Sequence, residues 1–477
     1  MQITGDNLLN FSAMLKNKIT RRRRLIILLL LVCSLCIVGI GPWPVDDTPY
    51  TDTSYAHDTL APLQTRQYPQ QALPLFGGFA SADITPAPGS PMGGYSARDP
   101  KENQGALSPV YAKAITISNG TQQVTLLGAE LLLPMPELVD EVSRLSHIPR
   151  EQLFFTATHT HSGPGGYAHG LVEQQTLGEF NASYFRQLTQ SLADIARQSR
   201  SQQQPISLRY QRLDMDAATA DSFVYNQLHQ DGHNERSSLH WLQMRDAQNQ
   251  PLANLITFNA HATFLGKLNH QISGDYPGLL QSLLEKQLNS PVLFASGGVG
   301  GALPIGHGKI PDGEVTTQLA QMQDMSDRLV QWFAQQKQQA QWQADQAVLD
   351  VALIPVELPS QQFRIGDQWR LSPLLVGAVF HDRNSYIHAL RIGPLFLFGQ
   401  PADYANELTQ RLEQWGQERG VYTWVTGFNG DYIGYLMPAD RYDQDHYTVR
   451  KVNFFGRWAG DYLNEVCKTF IQQATNN

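Results

Sequence analysis

From residue 76 onward, short apolar runs alternate with amphipathic stretches of helical period. Short apolar runs bounded by Gly, Pro or Asn are typical of buried strands, whereas an apolar spacing of i, i+3 and i+4 is typical of helices. The pattern predicts strands at 112–118, 123–133, 151–158, 251–261, 290–296, 388–399 and 421–428, and helices at 135–146, 274–289, 317–346 and 403–420. Strands and helices that alternate over most of a chain indicate an α/β (mixed α+β) fold class.

The N-terminal segment has a different pattern. Four arginines at 21–24 precede an uncharged apolar run at 25–41, which is near the lower limit of the about 20 residues that span a bilayer. The positive flank predicts a cytoplasmic segment 1–24, a transmembrane signal-anchor 25–42, and the rest of the chain outside the cytoplasm, in the periplasm or the extracellular space. Secretion after signal cleavage is the alternative, although no small-residue cleavage site is evident. Residues 43–75, rich in Pro, Thr, Asp and Gln, are predicted to be a linker.

Composition excludes several classes of protein. The formal net charge is −8, from 35 basic and 43 acidic residues, whereas a nucleic-acid binder would carry a basic face. Of the three cysteines, Cys33 and Cys36 fall inside the apolar run, which leaves Cys467 alone in the rest of the chain. A disulfide framework or a cysteine-based zinc site is therefore excluded for the globular part, and a metal site there must use His, carboxylate or Tyr side chains.

The clearest candidate for chemistry is the stretch FTATHTHSGPGG at 155–166, where an apolar strand runs into a Gly-Pro-Gly-Gly break. Residues i and i+2 of a strand point to the same side, so the rings of His159 and His161 are predicted to enter one cavity. Neutral imidazole is a common zinc ligand, and loops at strand ends often carry binding residues. A structural role for either histidine is the alternative.

Three further segments end an apolar run with a metal-capable side chain. His261 follows the run 251–261, and Asp403 follows the strand pattern 388–399 and Pro401. Four tyrosines crowd the segment that follows the last predicted strand: Tyr432, Tyr435, Tyr442 and Tyr447. Taken singly, each has an ordinary interpretation: a loop histidine, an N-cap of the following helix, and aromatic packing.

Together these segments resemble one family, the neutral (non-lysosomal) ceramidases. The resemblance rests on THTHSGPGG, on a histidine about a hundred residues later, on a strand followed by a Pro and an acid, and on tyrosines twelve residues apart. The stretch FASADITPAPGSPMGGY at 79–95 also resembles the opening strand and loop of that family. The resemblance covers the catalytic domain, from about Phe76 to the C-terminus, and implies a layered mixed-sheet domain at 76–477 with helices outside.

The resemblance also implies a set of site residues. Carried over position by position, the zinc ligands of the family fall on His159, His261, Asp403 and Tyr435, with Asp403 in place of the usual glutamate. His161 and Tyr447 correspond to residues near the scissile amide and are the predicted catalytic residues. Asp275 could orient the ring of His261, although capping of the helix that follows it is an equally good interpretation.

One departure from the family pattern bears on the substrate. The loop that carries a proposed catalytic serine in ceramidases reads GGALP at 300–304, with Leu303 at the serine position. The sequence therefore predicts a zinc-dependent hydrolase that cleaves an amide in an N-acylated lipid, such as ceramide or a related acyl amide, with zinc-activated water. The alternative is a non-catalytic or differently specific metal-binding envelope protein on the same scaffold. Expected partners are the lipid substrate and, through the N-terminal helix, a membrane, and the oligomeric state stays open.

Overall fold

The computed structural model describes residues 5–229, 236–306, 314–337, 340–380 and 384–476. The largest sheet of this region is mixed and has nine strands. Eight follow one another in the spatial order Val292–Ser296, Pro251–Phe258, Arg236–Asp246, Gln204–Asp216, Phe76–Asp83, Tyr111–Ser118, Gln123–Ala129 and Leu153–Ala157, and Trp342–Ala344 pairs with Gln204–Asp216. Two pairings are parallel, and each joins the strand at one end of this order to its neighbour.

A second sheet of four strands packs on the first. Its spatial order is Leu349–Val356, Ser385–Ile392, Leu395–Gly399 and Tyr422–Thr426, with only the last pair parallel. A buried apolar cluster from both sheets fills the space between them. Within it, the indole nitrogen of Trp424 donates to Thr257 Oγ1 at 2.9 Å and so ties one sheet to the other.

Helices cover the outer surfaces of the sheets. The longer ones after the N-terminal helix are Ser54–Thr65, Pro136–Ser146, Ala182–Ser201, Asp275–Leu288, Val315–Gln336, Pro373–Phe380, Asn406–Gln417 and Ala459–Asn476, and shorter ones are Glu173–Leu177, Ala217–Asp221 and Tyr447–Arg450. Helix Ala182–Ser201 begins where the Asn181 side chain accepts from the backbone of Tyr184. It lies so close to the sheet that a Cβ at Gly78 would come within 2.2 Å of the Ser199 carbonyl, so only glycine fits there.

Four short ladders of two or three residues per strand complete the fold. They pair Trp43–Pro44 with Trp369–Arg370, Leu73–Pro74 with Gln346–Ala347, Val224–Asn226 with Ala302–Pro304, and Asp403–Tyr404 with Tyr435–Leu436. The last two ladders lie past the ends of the long strands, and they hold the residues described below.

The predicted mixed α/β class is confirmed, and each predicted strand and helix has a counterpart whose bounds differ by a few residues. The exceptions have local causes. The pattern 388–399 is two strands because Gly393, with a left-handed φ of 58°, makes a tight turn between them. The predicted helix 317–346 ends at Gln336. The sequence pattern missed the long strands Gln204–Asp216 and Arg236–Asp246, whose polar residues interrupt the apolar alternation.

The N-terminal apolar run lies in the helix Gly5–Gly39. Within the described ranges, no helix combines the length and the apolar character needed to cross a bilayer, so the predicted transmembrane signal-anchor at 25–42 is not supported. Physically, the uncharged part of this helix after Arg24 ends at Gly39, whereas a span needs about 20 apolar residues. The predicted location outside the cytoplasm stays a prediction.

The segment predicted to be a linker, residues 43–75, is packed on the domain. It holds the helix Ser54–Thr65, whose residues Ala56 and Leu63 are buried in the same apolar cluster as Phe470 of the C-terminal helix. The guanidinium of Arg66 pairs with both oxygens of the buried Asp350 at 2.6 Å. A few apolar residues at helical spacing are enough to pack this segment on the domain. Its Pro- and Thr-rich composition did not predict this packing.

Candidate metal centre

The first histidine of the THTH motif lies just past the strand Leu153–Ala157. His159 has a left-handed φ of 59°, which turns the chain out of the strand direction. Its ring is buried and stacks on Phe428, with 3.7 Å between ring centroids and an interplanar angle of 7°. Nδ1 donates to the Leu132 carbonyl at 2.9 Å, so Nε2 carries the lone pair and faces the site.

His161 reaches the same point by a different route from the one predicted. The two histidines are not alternate residues of a strand, because the strand ends at Ala157 and the chain turns between them. Their Nε2 atoms nevertheless lie 3.1 Å apart, with the rings nearly perpendicular. The prediction that both rings enter one cavity is confirmed, and the strand geometry assumed for it is wrong.

The third histidine of the cluster, His261, lies in a different loop. It follows the strand Pro251–Phe258, and its backbone N–H donates to the Ala302 carbonyl at 2.9 Å. The ring Nδ1 donates to the Val299 carbonyl at 2.9 Å, which again leaves Nε2 as the acceptor facing the site. The ligand nitrogens of His159, His161 and His261 all lie within 4.8 Å of one another.

Asp403 and Tyr435 complete the cluster. Asp403 Oδ1 lies 3.1 Å from His261 Nε2 and 3.7 Å from His159 Nε2, and the Tyr435 hydroxyl lies 3.1 Å from His261 Nε2. The second carboxylate oxygen, Oδ2, accepts from the Tyr432 hydroxyl at 2.8 Å. Asp403 is not a helix N-cap, because the next helix begins at Asn406 after a short strand.

The donor set fits a divalent cation. Two atoms bound to one zinc ion at about 2.0–2.1 Å and at tetrahedral angles lie about 3.3 Å apart, close to the separations found here. Oδ1 of Asp403 is buried and has no hydrogen-bond partner in the described part of the chain, although it faces the lone pairs of two imidazoles. Such acceptors repel one another unless a positive charge lies between them, and a single proton cannot serve all of them.

The electrostatics agree with a cation at this point. Burial lowers the pKa of His159 well below its usual value, which keeps this imidazole neutral and able to act as a ligand. Burial alone would raise the pKa of Asp403, but His159 and His261 lower it below the usual range, so the carboxylate is charged. Burial, then Asp403 and then Tyr447, raise the pKa of Tyr435 well above its usual value, so without a metal its hydroxyl keeps its proton.

Tyr447 lies at the open side of the cluster. It begins the short helix Tyr447–Arg450 and is 63% exposed. Its electrostatic effect on both Tyr432 and Tyr435 indicates that it lies near them. An exposed hydroxyl beside a buried cluster is accessible to a substrate.

Asp275 does not orient His261. Its carboxylate accepts from the backbone N–H groups of Phe264 and Leu265 at 3.3 Å and 3.0 Å, and from Tyr276 at 2.7 Å. The ring of His261 is held by the Val299 carbonyl instead. Asp275 therefore ties the loop after His261 to the start of the helix Asp275–Leu288. This corrects the interpretation that it orients His261 and agrees with a role at the helix start.

The segment Gly300–Pro304 passes directly beside the ligands. The Gly300 N–H donates to the Tyr404 carbonyl at 2.9 Å, and a Cβ on Gly300 would come within 2.6 Å of the Asp403 carbonyl. Leu303 is partly exposed and stands opposite the exposed Tyr225 in the ladder with Val224–Asn226. Leu303 and Tyr225 thus form a wall of two largely apolar side chains on this ladder.

Sequence reasoning missed the residues that hold the ligands in place. Phe428 supports the ring of His159, Tyr432 binds the carboxylate of Asp403, and two backbone carbonyls fix the histidine tautomers. The spacing of Tyr432, three residues before Tyr435, was the one available signal. Backbone carbonyls carry no sequence signal at all.

Comparisons with known proteins identify one family. The model of the neutral/alkaline non-lysosomal ceramidases, N-terminal part, matches residues 76–344. The neutral ceramidase of Mycobacterium tuberculosis is 27% identical over 225 residues, 42% of this chain and 34% of that protein, and neutral ceramidase B of Dictyostelium discoideum is 23% identical over 187 residues, 36% of this chain and 26% of that protein. The chain thus spans between about a quarter and a third of the length of these curated relatives.

Two solved structures share the fold. The neutral ceramidase of Pseudomonas aeruginosa superposes with a TM-score of 0.66 at 20% identity, over 85% of this chain and 74% of that chain. A structure described as ceramidase complexed with C2 superposes with a TM-score of 0.65 at 18% identity, over 84% of this chain and 75% of that chain. At these identities the likeness establishes the architecture alone.

Proposed function

The chain belongs to the neutral/alkaline non-lysosomal ceramidase family, and on that premise we propose that it is a zinc-dependent hydrolase that cleaves the amide bond of an N-acylated lipid. The family implies a hydrolase that acts on amides. Zinc, the lipid class and the residue roles are our proposal.

One observation carries the proposal: ligand atoms of four side chains converge on one point, where the single hydroxyl proton of Tyr435 cannot serve all of the acceptors. The atoms are Nε2 of His159, Nε2 of His261, Oδ1 of Asp403 and the hydroxyl of Tyr435. Two imidazoles, a carboxylate and a phenol are ligands that suit zinc. We assign these four side chains to the metal.

A divalent cation held there supplies Lewis acidity and lowers the pKa of water to roughly 7, so that neutral-pH hydrolysis needs no serine. The chain itself prepares the site for it. Leu132 and Val299 fix the histidine tautomers through their carbonyls, and Tyr432 keeps the carboxylate of Asp403 turned toward the two rings.

We assign proton transfer to His161. Its Nε2 lies 3.1 Å from that of His159, and its ring is less buried than the rings of His159 and His261, so a substrate amide at the cluster would reach it. In that position the imidazole is able to move a proton from the attacking water to the leaving nitrogen. The exposed hydroxyl of Tyr447 is assigned to hydrogen-bond the carbonyl oxygen as its negative charge develops.

The substrate assignment rests on the family and on the names of the relatives, each of which is a neutral ceramidase. On the resemblance, Leu303 would stand at the serine position of the family, and a leucine neither donates nor accepts a hydrogen bond. We therefore propose the class of N-acyl lipids rather than ceramide alone.

The test compares purified full-length wild type with His159→Ala and, as a matched control, with His57→Ala, a histidine whose side chain is 80% exposed. Metal content is measured by inductively coupled plasma mass spectrometry, and hydrolysis by mass spectrometry of a panel of ceramides, N-acyl amino acids and N-acylethanolamines. We expect one zinc per chain and amide hydrolysis in wild type and His57→Ala, and neither in His159→Ala.

Two results would contradict parts of the proposal. Unchanged zinc content in His159→Ala would remove the assigned metal site. Zinc lost in His159→Ala together with no hydrolysis of any panel member by wild type would favour the alternative, a metal-binding protein without this activity.

A further inference from the structure

A buried arginine lies behind the histidines and takes no part in the assignments above. Arg98, in the long loop between Phe76–Asp83 and Tyr111–Ser118, is 2% exposed. Its three nitrogens donate to three backbone carbonyls: Nε to Asn269 at 3.0 Å, one terminal nitrogen to Gly93 at 2.8 Å, and the other to His161 at 2.7 Å. One side chain thus joins the loops that carry these three residues.

In the described part of the chain, the hydrogen-bond partners of the Arg98 side chain are backbone carbonyls and not carboxylates. Its guanidinium carbon also lies 5.3 Å from the centroid of the Tyr95 ring. Burial accordingly lowers the pKa of Arg98 to about 10. A buried cation is costly, and only the planar fork of an arginine reaches three carbonyls in different directions.

Of the two histidines of the motif, Arg98 contacts His161 and not His159. The backbone of His161 is held at both ends, because its N–H donates to the Ala262 carbonyl at 3.1 Å and its carbonyl accepts from Arg98. Its ring lies 5.1 Å from the ring of Tyr95, whose hydroxyl donates to the Leu265 carbonyl. His159 is held by other groups, the Leu132 carbonyl and the ring of Phe428.

We propose that Arg98 is a positioning residue that holds the backbone of His161 so that its imidazole points at the substrate, while the ligands His159 and His261 keep their places without it. The proposal rests on the function proposed above for its kinetic consequence, though not for its structural one. The hydrogen-bond partners of Arg98 do not include any of the four assigned ligands.

The test uses Arg98→Met, Arg98→Lys and the matched control Arg200→Met in the full-length chain. Arg200 is partly buried, its pKa, like that of Arg98, is lowered to about 10 by burial, and its side-chain partners are Thr125 and Gln152, near the start of the strand Leu153–Ala157. A general loss of a buried arginine should therefore affect both sites, whereas the specific effect should appear at Arg98 alone.

We expect Arg98→Met to lower kcat at least 10-fold with KM changed less than threefold and with zinc content unchanged. Arg98→Lys keeps the charge and one donor nitrogen and should recover part of kcat. Arg200→Met should keep wild-type kcat. Because both changes act through one imidazole, His161→Ala combined with Arg98→Met should be no slower than His161→Ala alone.

A readout independent of activity separates this proposal from the proposed function. In protein labelled with ¹³C at histidine Cε1, the signal that disappears in His161→Gln identifies His161. That signal should shift or broaden in Arg98→Met and stay in place in Arg200→Met, even if wild type hydrolyses nothing in the panel. An unmoved His161 signal, loss of zinc in Arg98→Met, or additive losses in the double variant would each overturn the proposal.

Discussion

Asp403 and Tyr435 stand directly opposite each other as register partners in a parallel ladder of two residues per strand. The backbone N–H of Asp403 donates to the Gly434 carbonyl at 3.0 Å, and that of Ala405 to the Leu436 carbonyl at 3.0 Å. The ladder places the carboxylate and the phenol on one side, both toward His261. Backbone hydrogen bonds thus set the spacing of two side chains that are 32 residues apart in the chain.

Asp403→Asn should remove the metal while leaving the fold in place. The amide keeps the shape of the side chain and an acceptor for Tyr432, but the charge that holds a cation is gone. Since loss of a residue that merely supports a ligand costs about 10–100-fold in metal affinity, loss of this ligand should cost at least about 100-fold. Zinc titration with a chelating indicator measures the affinity, and circular dichroism checks the fold. Wild-type affinity in this variant would exclude Asp403 as a ligand.

Tyr432→Phe should weaken metal binding by about 10–100-fold, because the hydroxyl that orients the Asp403 carboxylate is lost. Tyr442→Phe is a matched control, since the buried Tyr442 hydroxyl has no hydrogen-bond partner in the described part of the chain. The same titration applies to both variants. Equal affinities in the two would show that the contact with Oδ2 is dispensable.

Gly300→Ala should destabilise the protein and loosen the centre together. The new Cβ would lie 2.6 Å from the Asp403 carbonyl and 3.0 Å from the Ala405 nitrogen, so the ligand strand has to move. Overpacking of this kind costs about 1–3 kcal/mol of the free energy of unfolding. Gly366→Ala, with no atom within 4 Å of the new Cβ, should change neither stability nor zinc content. Urea denaturation of the metal-free proteins gives the free energies.

Glu130→Gln should change how stability depends on pH. Burial raises the pKa of Glu130 from its ordinary 4.5 to about 7, so between these values the folded chain keeps a proton that the unfolded chain has lost. The free energy of unfolding of the wild type therefore falls as pH rises from about 4.5 to 7, by at most about 1.4 kcal/mol per pH unit from this group.

The glutamine is neutral at every pH. The free energy of unfolding of the variant minus that of wild type should therefore be higher at pH 8 than at pH 4, by up to about 3 kcal/mol. Thermal melts at constant ionic strength between pH 4 and pH 8 measure the difference, with the exposed Glu151→Gln as control. A difference between wild type and Glu130→Gln that does not vary with pH would show that Glu130 is ionised in the folded state.

Leu303→Ser should shift substrate preference toward lipids with a hydroxyl-bearing headgroup. The serine would add one hydrogen-bonding group to a wall that now presents Leu303 and Tyr225. A single neutral hydrogen bond contributes about 0.5–1.5 kcal/mol, so kcat/KM for ceramide relative to a simple N-acyl amide should rise about 2–10-fold. Leu268→Ser, on an exposed leucine of the loop after His261, should leave the ratio unchanged. A constant ratio in Leu303→Ser would show that this wall does not face the headgroup.

The strands and helices were largely predictable from the sequence, because buried strands such as Leu153–Ala157 are uninterrupted apolar runs and helices such as Pro136–Ser146 keep their apolar spacing. Errors arose where tertiary packing outweighs local pattern. The helix Ser54–Thr65 is polar on most faces and is held by a few buried residues, so its composition indicated a linker.

The site was predictable from sequence in its residue types and not in its geometry. Recognition of THTHSGPGG and the later His, Asp and Tyr named the side chains that the structure brings together. The left-handed turn at His159, the ladder of Asp403 with Tyr435, and the carbonyls that fix the tautomers depend on backbone conformation, which any one residue type only weakly specifies.

The proposed ligands also set a condition on when the proposed centre can bind metal. His159 comes from the first half of the chain, whereas Tyr435 packs on the apolar cluster that includes the C-terminal helix Ala459–Asn476. A nascent or truncated chain would hold at most an incomplete ligand set, with weak affinity for zinc. Metal loading should therefore follow complete synthesis and folding, and the proposed hydrolysis would begin only once the whole domain has formed.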